Sequence, residues 1–141
     1  MKFVFVDTWG WCAIVNQAQI EHREVAALFQ EFIDKGTVLV TTNFILDESY
    51  TLIRTRIHHS AAVEFHYLVR ALINDNYVKR VQVTPEIEQK AWEIFERYAD
   101  KDFSYTDCTS FVTMQFFKIT HAITDDRHFR QIGFQTLPKP K

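Results

Sequence analysis

Three acids stand at the ends of two apolar runs in this chain. Asp7 directly follows FVFV (Phe3 to Val6), and the pair Asp125 and Asp126 directly follows HAIT (His121 to Thr124). Two further acids, Glu48 and Asp107, fall in the opening turns of stretches with helical apolar spacing. Brought to one place, such groups repel, by ~4 kcal/mol for two carboxylates about 4 Å apart at an effective dielectric of 20. Some would then stay protonated unless a cation neutralised them. Carboxylate oxygens with neither Cys nor clustered His beside them select Mg²⁺ or Mn²⁺ over zinc. An ion of that kind keeps several waters and leaves room for a phosphate. The chemistry that fits is metal-assisted phosphodiester hydrolysis, in which one or two ions polarise phosphoryl oxygens and lower the pKa of an attacking water. Each acid taken alone has a plainer use. Asp7 is a turn residue, Asp125 or Asp126 can cap a short following segment, Asp107 completes a capping box with Ser104, and Glu48 beside Asp47 is a solvated helix carboxylate. The set carries the argument, and no member does so alone.

The acids meet only if the elements around them bring them together. Phe3 to Val6 reads as a short buried strand, and Arg23 to Ile33 carries Val25, Leu28, Phe29 and Phe32 at helical spacing up to Gly36. TVLVT (Thr37 to Thr41) reads as a second strand, and Asn43 to Arg56 as the helix after it. Ser60 is a candidate cap for a helix through Val63, Phe65, Leu68 and Leu72, and Tyr77 to Val83 alternates like a strand. In TPEIE, Thr84 is an N-cap and Pro85 fits the first helical position, predicting a helix to about Tyr98. Ser104 and Asp107 predict the capping box of a further helix, CTSFVTMQFFKI, before the strand HAIT. Strands alternating with helices predict an α/β fold, a three-layer α/β/α sandwich around a central, largely parallel sheet. The functional crevice of such a sheet lies beyond the carboxyl ends of its strands, where Asp7 and Asp125–Asp126 stand.

The 141 residues suit one domain, 1–141, with one core. The chain is 47% hydrophobic with three Gly and three Pro, which separates it from disordered, collagenous and disulfide-stapled classes. FVFV is too short for a signal-peptide core or for the ~20 residues of a membrane span, so the expectation is a soluble, cytoplasmic protein with no membrane partner. Cys12 and Cys108 form no CxxC pair and read as reduced structural thiols. The formal net charge of -2 argues against a polyanion partner, but with four acids set aside for a cation the remainder carries +2.

Four stretches, FVFVDT (Phe3 to Thr8), TTNFILDE (Thr41 to Glu48), SYTDCTSF (Ser104 to Phe111) and AITDDRHFRQIGF (Ala122 to Phe134), resemble in order and spacing the motifs of PIN-domain ribonucleases. The resemblance covers nearly the whole chain and is greatest to the small stand-alone PIN proteins that act as VapC-type toxins. It implies that Asp7, Glu48 (rather than Asp47), Asp107 and Asp126 are the metal-binding, catalytic acids. Asp126 is preferred to Asp125 because the family places this acid two residues after a Thr and three before a Phe, here Thr124 and Phe129. Thr8 and Thr124 match hydroxyl positions that support water or metal, with Asp125 an outer neighbour. One position departs from the pattern. Trp9 stands where the family often has a small Ser, removing a second hydroxyl and predicting a narrower entrance.

The resemblance further implies an Mg²⁺- or Mn²⁺-dependent endoribonuclease, typically a homodimer, held in check by a cognate antitoxin that packs on early helices carrying Ala13 to Val15 and Leu52 to Ile53. From the residues themselves, Arg54, Arg56, His58 and His59 at the end of the second helix and Arg127 and Arg130 next to Asp126 are candidate RNA phosphate contacts; the first group reads first as solvated charge, and Arg127 and Arg130 are preferred. Trp9 and Trp11 are candidates for base stacking or a partner surface. His58, His59, His66 and His128 lack zinc-ligand spacing. Phosphoryl transfer through an aspartyl phosphate wants a second Asp two places after Asp7, where Trp9 stands. A catalytically silent PIN-like module binding RNA or protein is the remaining alternative.

Overall fold

The computed structural model describes residues 1–141. Five strands, β1 (Phe3–Val6), β2 (Val38–Thr42), β3 (Val78–Val81), β4 (His121–Ile123) and β5 (Gln135–Leu137), form one sheet in the order β3-β2-β1-β4-β5, every neighbouring pair parallel. Seven helices connect and cover them: α1 (Thr8–Val15), α2 (His22–Asp34), α3 (Asn43–Arg56), α4 (His59–Asn74), α5 (Pro85–Arg97), α6 (Tyr105–Phe116) and α7 (Arg127–Gln131). The expected α/β class with a parallel sheet is what the chain adopts. The sheet grows from β1 through β2 to β3 on one side, then returns to add β4 and β5 on the other. The direction reverses between β1 and β4, which makes their carboxyl ends the switch point at which such sheets form a crevice.

β1 and β4 are the buried centre: Val4, Phe5, Val6, Ala122 and Ile123 are all fully inaccessible. They belong to one hydrophobic cluster of 31 buried residues. A run of aromatic contacts ties the site-bearing elements to this core. Phe5 of β1 meets Phe129 of α7 at 6.3 Å between ring centroids, Phe129 meets Phe111 of α6 edge-on at 5.1 Å, and Phe111 meets Phe103 at 5.1 Å.

The local start signals mostly hold. Thr84 caps α5 by accepting from the Ile87 N–H at 3.3 Å, and Pro85 is its first residue. Ser104 and Asp107 form the predicted capping box of α6, the Asp107 N–H donating to Ser104 Oγ at 2.9 Å and the Ser104 N–H to Asp107 Oδ2 at 3.1 Å. Four expectations change. α4 starts at His59 and is capped by the imidazole of His58, which accepts from the Ala61 N–H at 3.0 Å, so Ser60 lies inside the helix. Two helices, not one, separate β1 from β2, because TWGWCAIV carries apolar residues on several faces and has no clean helical period. QTL forms β5 on the sheet edge, too short and too polar to read as a strand. Trp11 is fully buried: its Nε1–H donates to Thr41 Oγ1 at 3.2 Å and its ring meets Phe29 edge-on at 5.4 Å. It is core, and only Trp9 of the two remains available to a ligand.

Candidate active site

The crevice at the switch point is a cleft of about 900 Å³, and all four expected acids line it. Asp7 comes off the end of β1, Glu48 from the second turn of α3, Asp107 from the first turn of α6 and Asp126 from the cap of α7. The backbone joins the two strand ends directly, since the Asp7 N–H donates to the Ile123 carbonyl at 3.1 Å. Side chains continue the link. The Thr124 hydroxyl donates to Asp7 Oδ2 at 2.7 Å and accepts from the Asp126 N–H at 3.0 Å, so one buried threonine sets the position of both acids.

Asp126 accepts from the His128 N–H at 2.9 Å, capping the single turn of α7. That turn aims the His128 imidazole back into the cleft, where Nδ1 lies 3.0 Å from Asp107 Oδ2 and 3.2 Å from Asp126 Oδ1. Asp107, Asp126 and His128 thus offer ligand atoms that all lie within 4.8 Å of one another. Asp107 serves the capping box and the cleft at once, one carboxylate accepting from the Ser104 backbone and facing His128. The capping-box reading holds, and Asp107 lines the cleft as well because the first turn of α6 is itself a wall of the cleft.

Burial decides the electrostatics. It is the largest of the effects that together push the Asp7 carboxyl from 3.8 up to about 7; the nearby charges of Asp107 and Glu48 add to the rise, and the hydrogen bonds from Thr124 and the Thr8 backbone oppose it. Burial also raises Asp107, with Asp126 adding to the rise and the Ser104 backbone and His128 opposing it. The folded chain therefore holds carboxylates that are costly to ionise without a compensating cation. Thr8 Oγ1 is buried beside Asp7 with no hydrogen-bond partner, an orphan polar atom at the same spot. An oxygen-rich donor set, a carboxyl waiting for positive charge and an unsatisfied hydroxyl together fit a hard divalent cation.

The remaining expectations divide. Asp125 and Arg127 are exposed on the cleft rim and Trp9 is half-buried in its wall. Arg130 is turned away: its guanidinium donates to Thr136 Oγ1 of β5 at 2.9 Å, and it borders an adjoining depression. Cys12 and Cys108 are buried free thiols, both pushed up to about 11 by burial. Two cleft residues, Gln19 and Asp102, escape the sequence reading, and two more, Arg56 and His128, read there first as solvated charge and as lacking zinc-ligand spacing. For His128 a signal existed, because the residue two after a helix-capping Asp lies in that helix's first turn; its zinc-ligand spacing was the wrong question.

A model of the PIN domain matches residues 4–135. The chain belongs to the PIN-domain family. Among relatives of this PIN protein, Mycobacterium tuberculosis VapC20, a 23S rRNA-specific endonuclease, is 35% identical over 132 residues, covering 93% of this chain and 95% of the relative. A VapC ribonuclease of Archaeoglobus fulgidus is 26% identical over 124 residues, covering 86% of this chain and 76% of its own. The crystal structure of M. tuberculosis VapC20, a sarcin-ricin-loop-cleaving toxin, superposes with a TM-score of 0.79 at 32% identity, covering 93% of this chain and 95% of that one. The parallel sheet and its cleft are thus the PIN fold, and the resemblance drawn from four short motifs holds over the whole length compared.

Proposed function

We propose that this PIN protein is an endoribonuclease of the VapC toxin type, dependent on Mg²⁺ or Mn²⁺. The observation that carries the reading is the convergence of Asp7, Glu48, Asp107 and Asp126 on one cleft, with Asp7 too buried to ionise at its ordinary pKa. These four acids would hold the cation, which when bound supplies Lewis acidity toward a phosphoryl oxygen and an activated water. The chain's own part is to fix the geometry. Thr124 orients Asp7 and Asp126, the capping box orients Asp107, and the imidazole of His128 keeps the Asp107 and Asp126 carboxylates turned to one point. Thr8 Oγ1 is free to hold a water there, and Asp125 supports from the rim. Arg127 on the rim meets the phosphates of the RNA strand, while Arg130 is held by Thr136 outside the cleft.

The similarity to VapC20 makes the sarcin-ricin loop of 23S rRNA the first substrate to try, and implies a cognate antitoxin and a cytoplasmic setting. No helix is long and apolar enough to cross a membrane. Exposed apolar side chains offer surfaces for an antitoxin or a second copy in a homodimer: Val63, Tyr67 and Leu68 on α4, and Trp92 with Phe95 on α5.

The test is cleavage of a mixed structured RNA pool and a sarcin-ricin-loop oligonucleotide, with matched DNA, by pure antitoxin-free protein in Mg²⁺, Mn²⁺ or EDTA, beside Asp126→Asn. Metal-dependent cutting of RNA that disappears in the variant is the expected result. Absence of cutting in every metal by folded protein would transfer the reading to the silent RNA- or protein-binding module.

A further inference from the structure

The C-terminal part of α3 carries two arginines, and the helix sends them to opposite sides. Successive residues are turned by about 100°, so positions two apart face nearly opposite ways. Arg54 borders a groove between α3 and α4 with Tyr50 and His59. Arg56 instead continues the row Glu48, Leu52, Arg56, spaced four residues apart, and all three line the acidic cleft. Its charge is felt at the Cys12 thiol on the α1 wall, where it opposes the rise caused by burial. Arg56 therefore stands on the α3 wall of the cleft within electrostatic reach of α1.

Within this acidic cleft Arg56 has no partner in the protein. Six carboxylates line this cleft, yet Arg56 forms no ion pair and no hydrogen bond, whereas Arg130 is engaged by Thr136 and Arg80 by Gln82. Eight residues of helix set Arg56 about 12 Å along α3 from Glu48 at 1.5 Å per residue. With no carboxylate in ion-pair contact, its guanidinium is left for something that extends out of the acids. A nucleic-acid strand is such a ligand, because its charge repeats along a chain and a guanidinium fork matches phosphate oxygens.

We propose that Arg56 binds a phosphate of the RNA strand flanking the one that is cleaved, so that the strand enters along the α3 wall. This rests on the ribonuclease reading. Arg56 and Arg127 then hold the strand from two walls of the cleft, with the four acids between them. Arg56 is a binding residue and touches no reacting atom. Its removal should weaken substrate and transition state alike.

The experiment is anisotropy of a fluorescein-labelled sarcin-ricin-loop RNA and of a mixed-sequence single strand, with Ca²⁺ as the cation, from about 50 to 200 mM KCl. Wild type is compared with Arg56→Gln, Arg56→Lys and Arg97→Gln, an exposed arginine outside the cleft lining. Arg56→Gln is expected to bind about tenfold more weakly and to reduce the slope of log K against log salt by about 0.7, one phosphate contact on a single strand. Arg56→Lys keeps the slope, Arg97→Gln keeps both slope and affinity, and Mn²⁺ affinity stays at the wild-type value in all three. In cleavage assays Arg56→Gln raises KM and spares kcat. A wild-type slope in Arg56→Gln, with wild-type protein binding and cutting RNA, overturns this proposal alone. A wild type showing no salt-dependent RNA binding overturns it together with the ribonuclease reading.

Discussion

Asp7 is the residue on which fold and chemistry conflict most. Its carboxyl is 8% exposed and pushed from 3.8 to about 7, so without a cation the folded chain prefers it protonated while the unfolded chain ionises it above 3.8. The sign follows from linkage. The folded-state pKa is the higher one, so the stabilisation is fully present below about pH 3.8 and is lost as pH rises through about 7. The gap corresponds to a limit of about 4 kcal/mol. Asp7→Asn, which keeps an oxygen for the Thr124 hydroxyl and carries no charge, should therefore be inactive and also more stable than the parent in EDTA at pH 8. The advantage should shrink to nothing near pH 4. Urea midpoints from pH 4 to 8 measure it, and a variant equally or less stable than the parent at pH 8 would show that Asp7 is already satisfied as an anion.

At the scale of elements, the contact that matters most is that of α1 on the junction of β1 and β4. A Cβ on Gly10 would lie 3.0 Å from the Ile123 carbonyl oxygen, 3.0 Å from Val6 Cγ1 and 3.1 Å from Ile123 Cγ2. The same Ile123 oxygen accepts from the Asp7 N–H, so it cannot move without moving the site. Gly10→Ala should cost about 1–3 kcal/mol in denaturant unfolding and should weaken Mn²⁺ binding, although Gly10 touches no ligand. Full Mn²⁺ affinity with lowered stability would separate the helix contact from the site. This is also where the sequence was least legible. Strand ends, the Thr84 cap and the Ser104–Asp107 box are local signals, and they suffice to bring Asp7, Glu48, Asp107 and Asp126 to one cleft because each acid follows an element boundary by a residue or a few. α1 was hidden because its surroundings bury most of its surface and erase its period: Thr8, Gly10, Trp11, Cys12 and Ala13 are all buried. For the same reason Trp11 looked available, since nothing in WGW distinguishes the ring that meets Phe29 and Phe65 from the one that lines the cleft. The cleft position of Arg56 follows from the four-residue row Glu48, Leu52, Arg56, and His128 stands in the first turn after the capping Asp126, but only the folded α7 turns that imidazole back to Asp107.

For the whole molecule, the acids of the cleft are distant in sequence and joined only by the completed sheet. Thr124 and Asp7 are 117 positions apart when they form their 2.7 Å hydrogen bond. Their supports run from β1 through Phe5, Phe129 and Phe111 into α6, all inside one core cluster. No part of the chain could bind the cation with the others unfolded, so residues 1–141 should behave as one domain with folding and cation binding coupled. Urea unfolding in EDTA should then be a single transition, superimposable whether followed by far-UV circular dichroism or by the fluorescence of buried Trp11. Adding Mg²⁺ or Mn²⁺ should raise the midpoint without changing the slope, by about 2.7 kcal/mol at a hundredfold excess over Kd. Asp126→Asn should abolish most of that gain while keeping a single transition. Two separated transitions, only one of them cation-dependent, would mean that the site is assembled by a subset of these elements and that the one-domain reading is wrong.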